Sequence, residues 1–338
     1  MTTPLQRSGP RFPRLGRFCF RATRRIATWL MTPANFHAND SNFTVSRVAA
    51  IRAKLARGET VYLAGLGLPG TPDPGVALVE VTQAGARLIV SENEQSLPGN
   101  RPYPRQSLDA MRAALRAIGQ DISDIDAWLT TWDYPDLAGT LLRSVVENVP
   151  DGLELLRANN AVSFDARRFM QMIRTPMILR EQFGLAQNVS LLMMPHHDNQ
   201  AWFGFASSGF GDDEPVAIAV LDVAGDLGSV STYIVQRGVM TKQFCNDSLV
   251  ETPHDLDALT NIVDDVLRAS GAHRLVLTGA VGRNAILQEK LRNHFNANWF
   301  VREQNRDATL HLFVPEHAGV TIGAALLFAR IVSAQLGS

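Results

Sequence analysis

One order of elements occurs twice along this chain, and few folds accept that arrangement. Val61–Gly67, Val76–Val81 and Ala86–Ser91 read as three apolar strands separated by turn residues. A helix follows, with Leu108, Met111, Leu115 and Ile118 on one face and Gly119 at its end. Ile125–Trp132 then reads as a strand and Leu137–Val146 as a helix. The second run begins with strands at Val216–Leu221, Val230–Val235 and Met240–Phe244. Thr252, Pro253 and Asp255 open a helix whose apolar face holds Leu256, Leu259, Val263 and Val266, and Gly271 closes it. Arg274–Leu277 is a strand that enters a glycine-bearing turn and another helix. Trp299–Arg302 is read as a strand, and a final helix starts from His317. Three strands, helix, strand, helix, given twice, predicts an α/β protein of two similar halves with a cleft between them.

Charge divides the chain differently. The net charge is −1, so no overall field points to nucleic acid or to an anionic membrane. Yet Arg7, Arg11, Arg14, Arg17, Arg21, Arg24 and Arg25 stand in the first 30 residues without one acid. The remainder is left with 25 basic and 33 acidic residues. Residues 1–45 are therefore expected to be a basic, disordered tail, with an organelle-targeting segment or a translation start at Met31 as alternatives. The first α/β half is then expected over 46–213, with Ser46 capping its first helix, and the second over 214–338. Apolar residues at 46% suit a soluble protein. No apolar run reaches the roughly 18 residues of a spanning helix. Cys19 and Cys245 form no spacing motif, which predicts a reducing, cytoplasmic setting.

Chemistry-bearing residues gather where the halves meet. His196 and Gln200 are four apart and share a helix face, the spacing of two metal ligands, although a neutral amide is a poor one. Strand Val216–Leu221 ends in Asp222, Gly225 and Asp226, where backbone amides can approach an anion and a carboxylate can hold a hydroxyl. Gly279–Gly282, between a strand and a helix, is a second candidate phosphate cradle.

In this order the motifs resemble those of the carbamoyltransferase family that includes the nodulation, cephamycin and tobramycin O-carbamoyltransferases. The match is to the family's N-terminal domain, from about Val61 to Arg330. The family's His-His-x-x-His-Ala segment falls on His196–Ala201 and keeps His196, His197 and Ala201, with Gln200 where a histidine stands. Its Asp-Gly-x-Gly-Glu turn falls on Asp222–Asp226, its nucleotide loop on Gly279–Asn284, and its closing helix on His317–Leu326. Its early Tyr-His-Asp-Ser segment becomes Thr71-Pro72-Asp73-Pro74 and keeps only the acid.

The resemblance implies a duplicated ASKHA (actin-like ATPase) fold. It implies catalytic roles for His196, His197 and Asp73, with Asp73 facing the acceptor. It places ATP or carbamoyladenylate on Asp222, Gly225, Asp226, Gly279 and Asn284, and a divalent transition metal such as iron on His196, Gln200 and His317. The implied activity is transfer of a carbamoyl group to a small-molecule hydroxyl or amine. The family's carbamoyladenylate-forming domain does not follow in this chain, so a second protein is expected to supply the adenylate. The alternative is a catalytically degenerate partner or regulatory subunit of a full-length transferase. Neither nucleic acid nor membrane is expected as a partner.

Overall fold

The computed structural model describes residues 12–68, 75–93, 105–149, 153, 172–222, 225–246, 255–317 and 319–333. Strands β1 (Phe36–His37), β2 (Val61–Gly67), β3 (Gly75–Thr82), β4 (Gly85–Asn93), β5 (Ile125–Thr130) and β6 (Leu191–Met193) form one sheet in the order β1-β6-β5-β2-β3-β4. Strands β7 (Val216–Leu221), β8 (Val230–Gln236), β9 (Val239–Cys245), β10 (Arg274–Thr278) and β11 (His311–Phe313) form the other, in the order β11-β10-β7-β8-β9. In each sheet three antiparallel strands are followed by two parallel ones that join the first strand of the meander. The two orders coincide once the short β1 is set aside. The halves are thus one motif built twice, the duplicated actin-like arrangement. β2 and β7, the strands at the switch from antiparallel to parallel, are buried along their whole length, as strands covered on both faces must be.

Helices cover these sheets. In the first half they are α2 (Asn42–Ala56), α3 (Arg105–Ala117), α4 (Tyr134–Glu147) and α5 (Thr175–Phe183). Helix α6 (His196–Ser208) follows, and then α7 (Leu256–Ser270), α8 (Ala285–His294), α9 (Ala297–Gln304) and α10 (Val320–Ser333). Two of them cross over. α10 buries Ala324, Ala325 and Phe328 against Leu63 and Val79 of the first sheet. α6 sets Ala201 among Val216, Ile218 and Val276 of the second. The expected boundary at residue 213 therefore does not separate the halves in space: each sheet is covered by a helix from the other's side of the sequence.

Several expectations are corrected. Residues 13–37 are not a tail: Pro13–Met31 is a helix, α1, docked on α4, and Phe36 of β1 is buried in the first sheet. Residues 1–11 lie outside the described part. α2 begins at Asn42 with Ser41 as its cap, not at Ser46; Ser41 Oγ accepts from the Thr44 N–H at 3.2 Å. Trp299–Arg302 is helical. The β-prone run Trp299-Phe300-Val301 is overridden because Asn296 caps a helix there and Trp299 and Phe300 both face the core; the parallel edge strand is β11 instead. The final helix starts at Val320 rather than His317. α7 opens at Asp255, which caps Leu256–Ser270; residues 252–254 lie outside the described part.

Candidate functional site

The C-terminal ends of β5, β6, β7 and β10 meet in one buried polar cluster, the place where open α/β sheets commonly hold ligands. α6 begins there. Its cap, Pro195, offers no side-chain acceptor, so the helix N-terminus is satisfied from another element. The Asp226 carboxylate accepts the His196 N–H and is also stabilised by the backbone N–H of Asp133, the cap of α4. Thr140 Oγ1 donates to the Asp226 carbonyl at 2.6 Å. Asp226 thus ties the β7–β8 turn to the starts of two helices.

His196 is fully engaged. Its ring stacks on Trp132, centroids 3.9 Å apart and planes 18° from parallel. Nδ1 lies 3.2 Å from the Thr131 carbonyl, which can only accept, so Nδ1 carries the hydrogen and Nε2 is the acceptor. Gln200 Nε2 donates to it at 2.9 Å and gives its second hydrogen to Asp222 Oδ2 at 2.6 Å. The chain of bonds runs carbonyl, imidazole, amide, carboxylate, with each donor matched to an acceptor. Burial pushes Asp222 upward, but the nearby His196 imidazole, 3.5 Å from Oδ2, and the N–H donated by Gln200 outweigh it and hold the group below the usual carboxylate range.

His197 differs. Nδ1 meets Ser231 Oγ at 2.8 Å, while Nε2 is buried without a partner and lies against Gly225, where a Cβ would approach to 2.3 Å. Gly225 is required because the imidazole occupies the space of a side chain. Burial first, and then the neighbouring His196 ring, hold His197 neutral, well below the ordinary histidine range.

Not every residue chosen from the sequence belongs to this cluster in the role expected. Asp226 acts as a structural tie rather than as a free nucleotide contact. Asn284 caps α8: its Oδ1 accepts from the amides of Ile286 and Leu287, the groups a phosphate would otherwise use. Asn284→Ala is expected to cost about 1 kcal/mol of stability, read by chemical denaturation. Gly279 is fixed by backbone geometry: φ is +88°, and a Cβ would sit 2.2 Å from the Leu221 carbonyl oxygen. His317 is exposed and stacks on Phe203, two turns of α6 beyond His196. Asp73 lies outside the described residues.

The implied metal does not fit these residues. Both nitrogens of His196 are taken, Gln200 turns N–H rather than oxygen toward His196 and Asp222, and His317 stacks on Phe203. Among the described residues no three His, Cys, Asp or Glu side chains gather as a ligand set. The cluster also contains residues that sequence reasoning missed: Thr131, Trp132, Asp133, Tyr134 and Thr278. The signal for the first four was an apolar strand ending in Thr-Thr-Trp-Asp-Tyr, polar and aromatic residues at the C-terminal edge of a sheet; Thr278 ends β10. Burial, and then the charge of Asp136, raise the Asp133 carboxyl to about 7, against the pull of the Asp136 N–H and Arg24. Burial and the Asp133 charge push Asp226 well above the carboxylate range, although its two backbone donors pull the other way.

No family model and no curated protein matches the chain. Solved structures do. A ROK hexokinase from Thermus thermophilus is 13% identical, with 79% of this chain and 97% of that one covered and a TM-score of 0.37. A Pseudomonas aeruginosa protein with similarity to the peptidase YEAZ is 17% identical, with 78% and 90% covered and a TM-score of 0.31. The Aquifex aeolicus PPX-GPPA enzyme is 10% identical, with 81% and 90% covered and a TM-score of 0.34. At these scores the fold assignment rests on the strand order of the chain's own sheets. The fold is actin-like and duplicated. Among the described residues no helix is long and apolar enough to cross a membrane.

Proposed function

We propose that this chain is a carbamoyltransferase-family protein that serves a transferase as a non-catalytic partner or regulatory subunit. What supports this reading is the closed hydrogen-bond chain Thr131–His196–Gln200–Asp222. The position that holds a metal in the family is filled by an amide that satisfies its neighbours and occupies the His196 Nε2 lone pair a metal would need. The capping role of Asn284 points the same way. In this reading the ASKHA architecture is kept for recognition, a second protein forms carbamoyladenylate and transfers its carbamoyl group, and both work in the cytoplasm.

One observation favours a second reading, in which the chain itself transfers a carbamoyl group to a small-molecule hydroxyl or amine. Buried side-chain atoms without partners cluster beside the closed chain: Thr131 Oγ1, His197 Nε2, Asn199 Oδ1, Gln200 Oε1 and Thr278 Oγ1. A neutral imidazole N–H in such a lining would polarise a carbamoyl oxygen without a metal. The acceptor hydroxyl would lose its proton as the new C–O bond forms and AMP leaves.

The two readings separate in one experiment. Purified protein is given carbamoyladenylate and a panel of small hydroxyl and amine acceptors, and carbamate products are measured, alone and with a full-length transferase of the family. The expected result is no product from the chain alone and a stoichiometric complex with the transferase. Turnover by the chain alone overturns the partner reading and establishes the second.

A further inference from the structure

The near-neutral charge of the whole chain hides a local asymmetry on α1. The helix has three faces. One is docked: Gly16 packs against the Glu147 side chain, the Phe20 ring lies over Gly139, Arg24 pairs with Asp136, and Met31 is buried. At about 3.6 residues per turn, Leu15, Phe18, Ala22, Ile26 and Trp29 fall on a second line along the helix. That line is open: Trp29 is 73% exposed and Phe18 69%, and Leu15 and Ile26 are at least half exposed. Arg14, Arg17, Arg21 and Arg25 form the third face, exposed and beside the apolar one, and no acid stands anywhere in Pro13–Met31.

An apolar stripe carrying an outward tryptophan is costly to leave in water. The arginines alongside say what should cover it. A cationic border next to bulky apolar side chains matches the boundary between anionic headgroups and acyl chains, where tryptophan also prefers to sit. We propose that α1 is a membrane-surface helix: with its docked face holding the protein, it lays Phe18, Ile26 and Trp29 into the headgroup boundary of an anionic bilayer while Arg14, Arg17, Arg21 and Arg25 contact the headgroups. A second copy of the chain is disfavoured, because the unbroken positive charge would set two copies of this face against each other.

The test uses the full chain with sedimented vesicles, one set of pure phosphatidylcholine and one containing phosphatidylglycerol. The protein is expected to pellet with the anionic vesicles, to stay in solution with the neutral ones, and to be released by salt. The double variant Phe18→Ser/Trp29→Ser and the quadruple variant with Gln at 14, 17, 21 and 25 should each lower the partition coefficient at least about tenfold. All these positions are exposed, so both variants should keep the parent thermal midpoint. Three outcomes overturn the proposal: no pelleting with anionic vesicles, equal pelleting by parent and both variants, or a dimer in sedimentation velocity that Phe18→Ser/Trp29→Ser dissolves while vesicle binding is absent.

Discussion

Gly323→Ala is expected to destabilise the protein by about 3 kcal/mol or to prevent folding, by overpacking a seam with no room to give. In an exposed helix interior the same change would stabilise by up to about 1 kcal/mol, so the sign of the result is diagnostic. α10 crosses from the second half to the first and is wedged between two backbones. A Cβ at 323 would lie 2.1 Å from the Asn199 carbonyl oxygen of α6, and one at 65 would lie 2.0 Å from the Thr321 carbonyl oxygen. Both obstacles are main chain, so a helix must move. α6 carries His196 and Gln200, and its displacement would open the Thr131–His196–Gln200–Asp222 chain. Thermal unfolding followed by near-ultraviolet circular dichroism should show a midpoint lower by roughly 5–10 °C. A midpoint equal to or above that of the parent would mean that α10 and α6 are farther apart than they stand here.

This seam also marks the limit of what the sequence discloses. The doubled strand order was legible because β2, β3, β7 and β8 are apolar runs between strong turn residues, and α6 because His196 and Gln200 sit one turn apart. The crossing of α6 and α10 was not legible. Nothing local in Ala324, Ala325 or Phe328 says which sheet they will cover, since a Gly/Ala-rich apolar helix fits either. α1 was hidden for another reason: its docked face is built from Gly16, Phe20 and Met31, too sparse a pattern among arginines to read as a core helix. At the site, spacing correctly put Gln200 beside His196 but could not show that the amide would face Asp222. That depends on where a strand from the other half ends. Asp226 and Asn284 were marked for their chemistry, and both turn out to satisfy helix starts, a use that motif matching does not distinguish from ligand binding.

Asp133→Asn should flatten the pH dependence of stability between about pH 4 and pH 7 and leave the variant more stable than the parent at pH 8, by on the order of 4 kcal/mol. The Asp133 carboxyl is buried beside Asp136, and its folded value is raised to about 7 from an ordinary 3.8. A raised carboxylate binds a proton in the folded state that the unfolded chain has released. In that window the folded state therefore holds more protons, and stability falls as pH rises. Asparagine removes the titration and still caps α4, because its side-chain oxygen can accept the Asp136 N–H as Asp133 Oδ1 does at 3.2 Å. His197 works in the opposite sense: held neutral when folded, it costs stability as pH falls below about 6.5, where the unfolded histidine gains its proton. The parent curve is the sum of such terms, with Asp226 adding to the Asp133 side. The informative quantity is thus the parent-minus-variant difference from urea titrations at each pH, in which the His197 contribution cancels while Asp226, which senses the Asp133 charge, adds to the difference. It should be near zero at pH 4 and grow in favour of the variant up to pH 7. A difference that stays constant over that range would show that Asp133 keeps an ordinary carboxylate ionisation, and that the buried floor of the site carries its charge without protest.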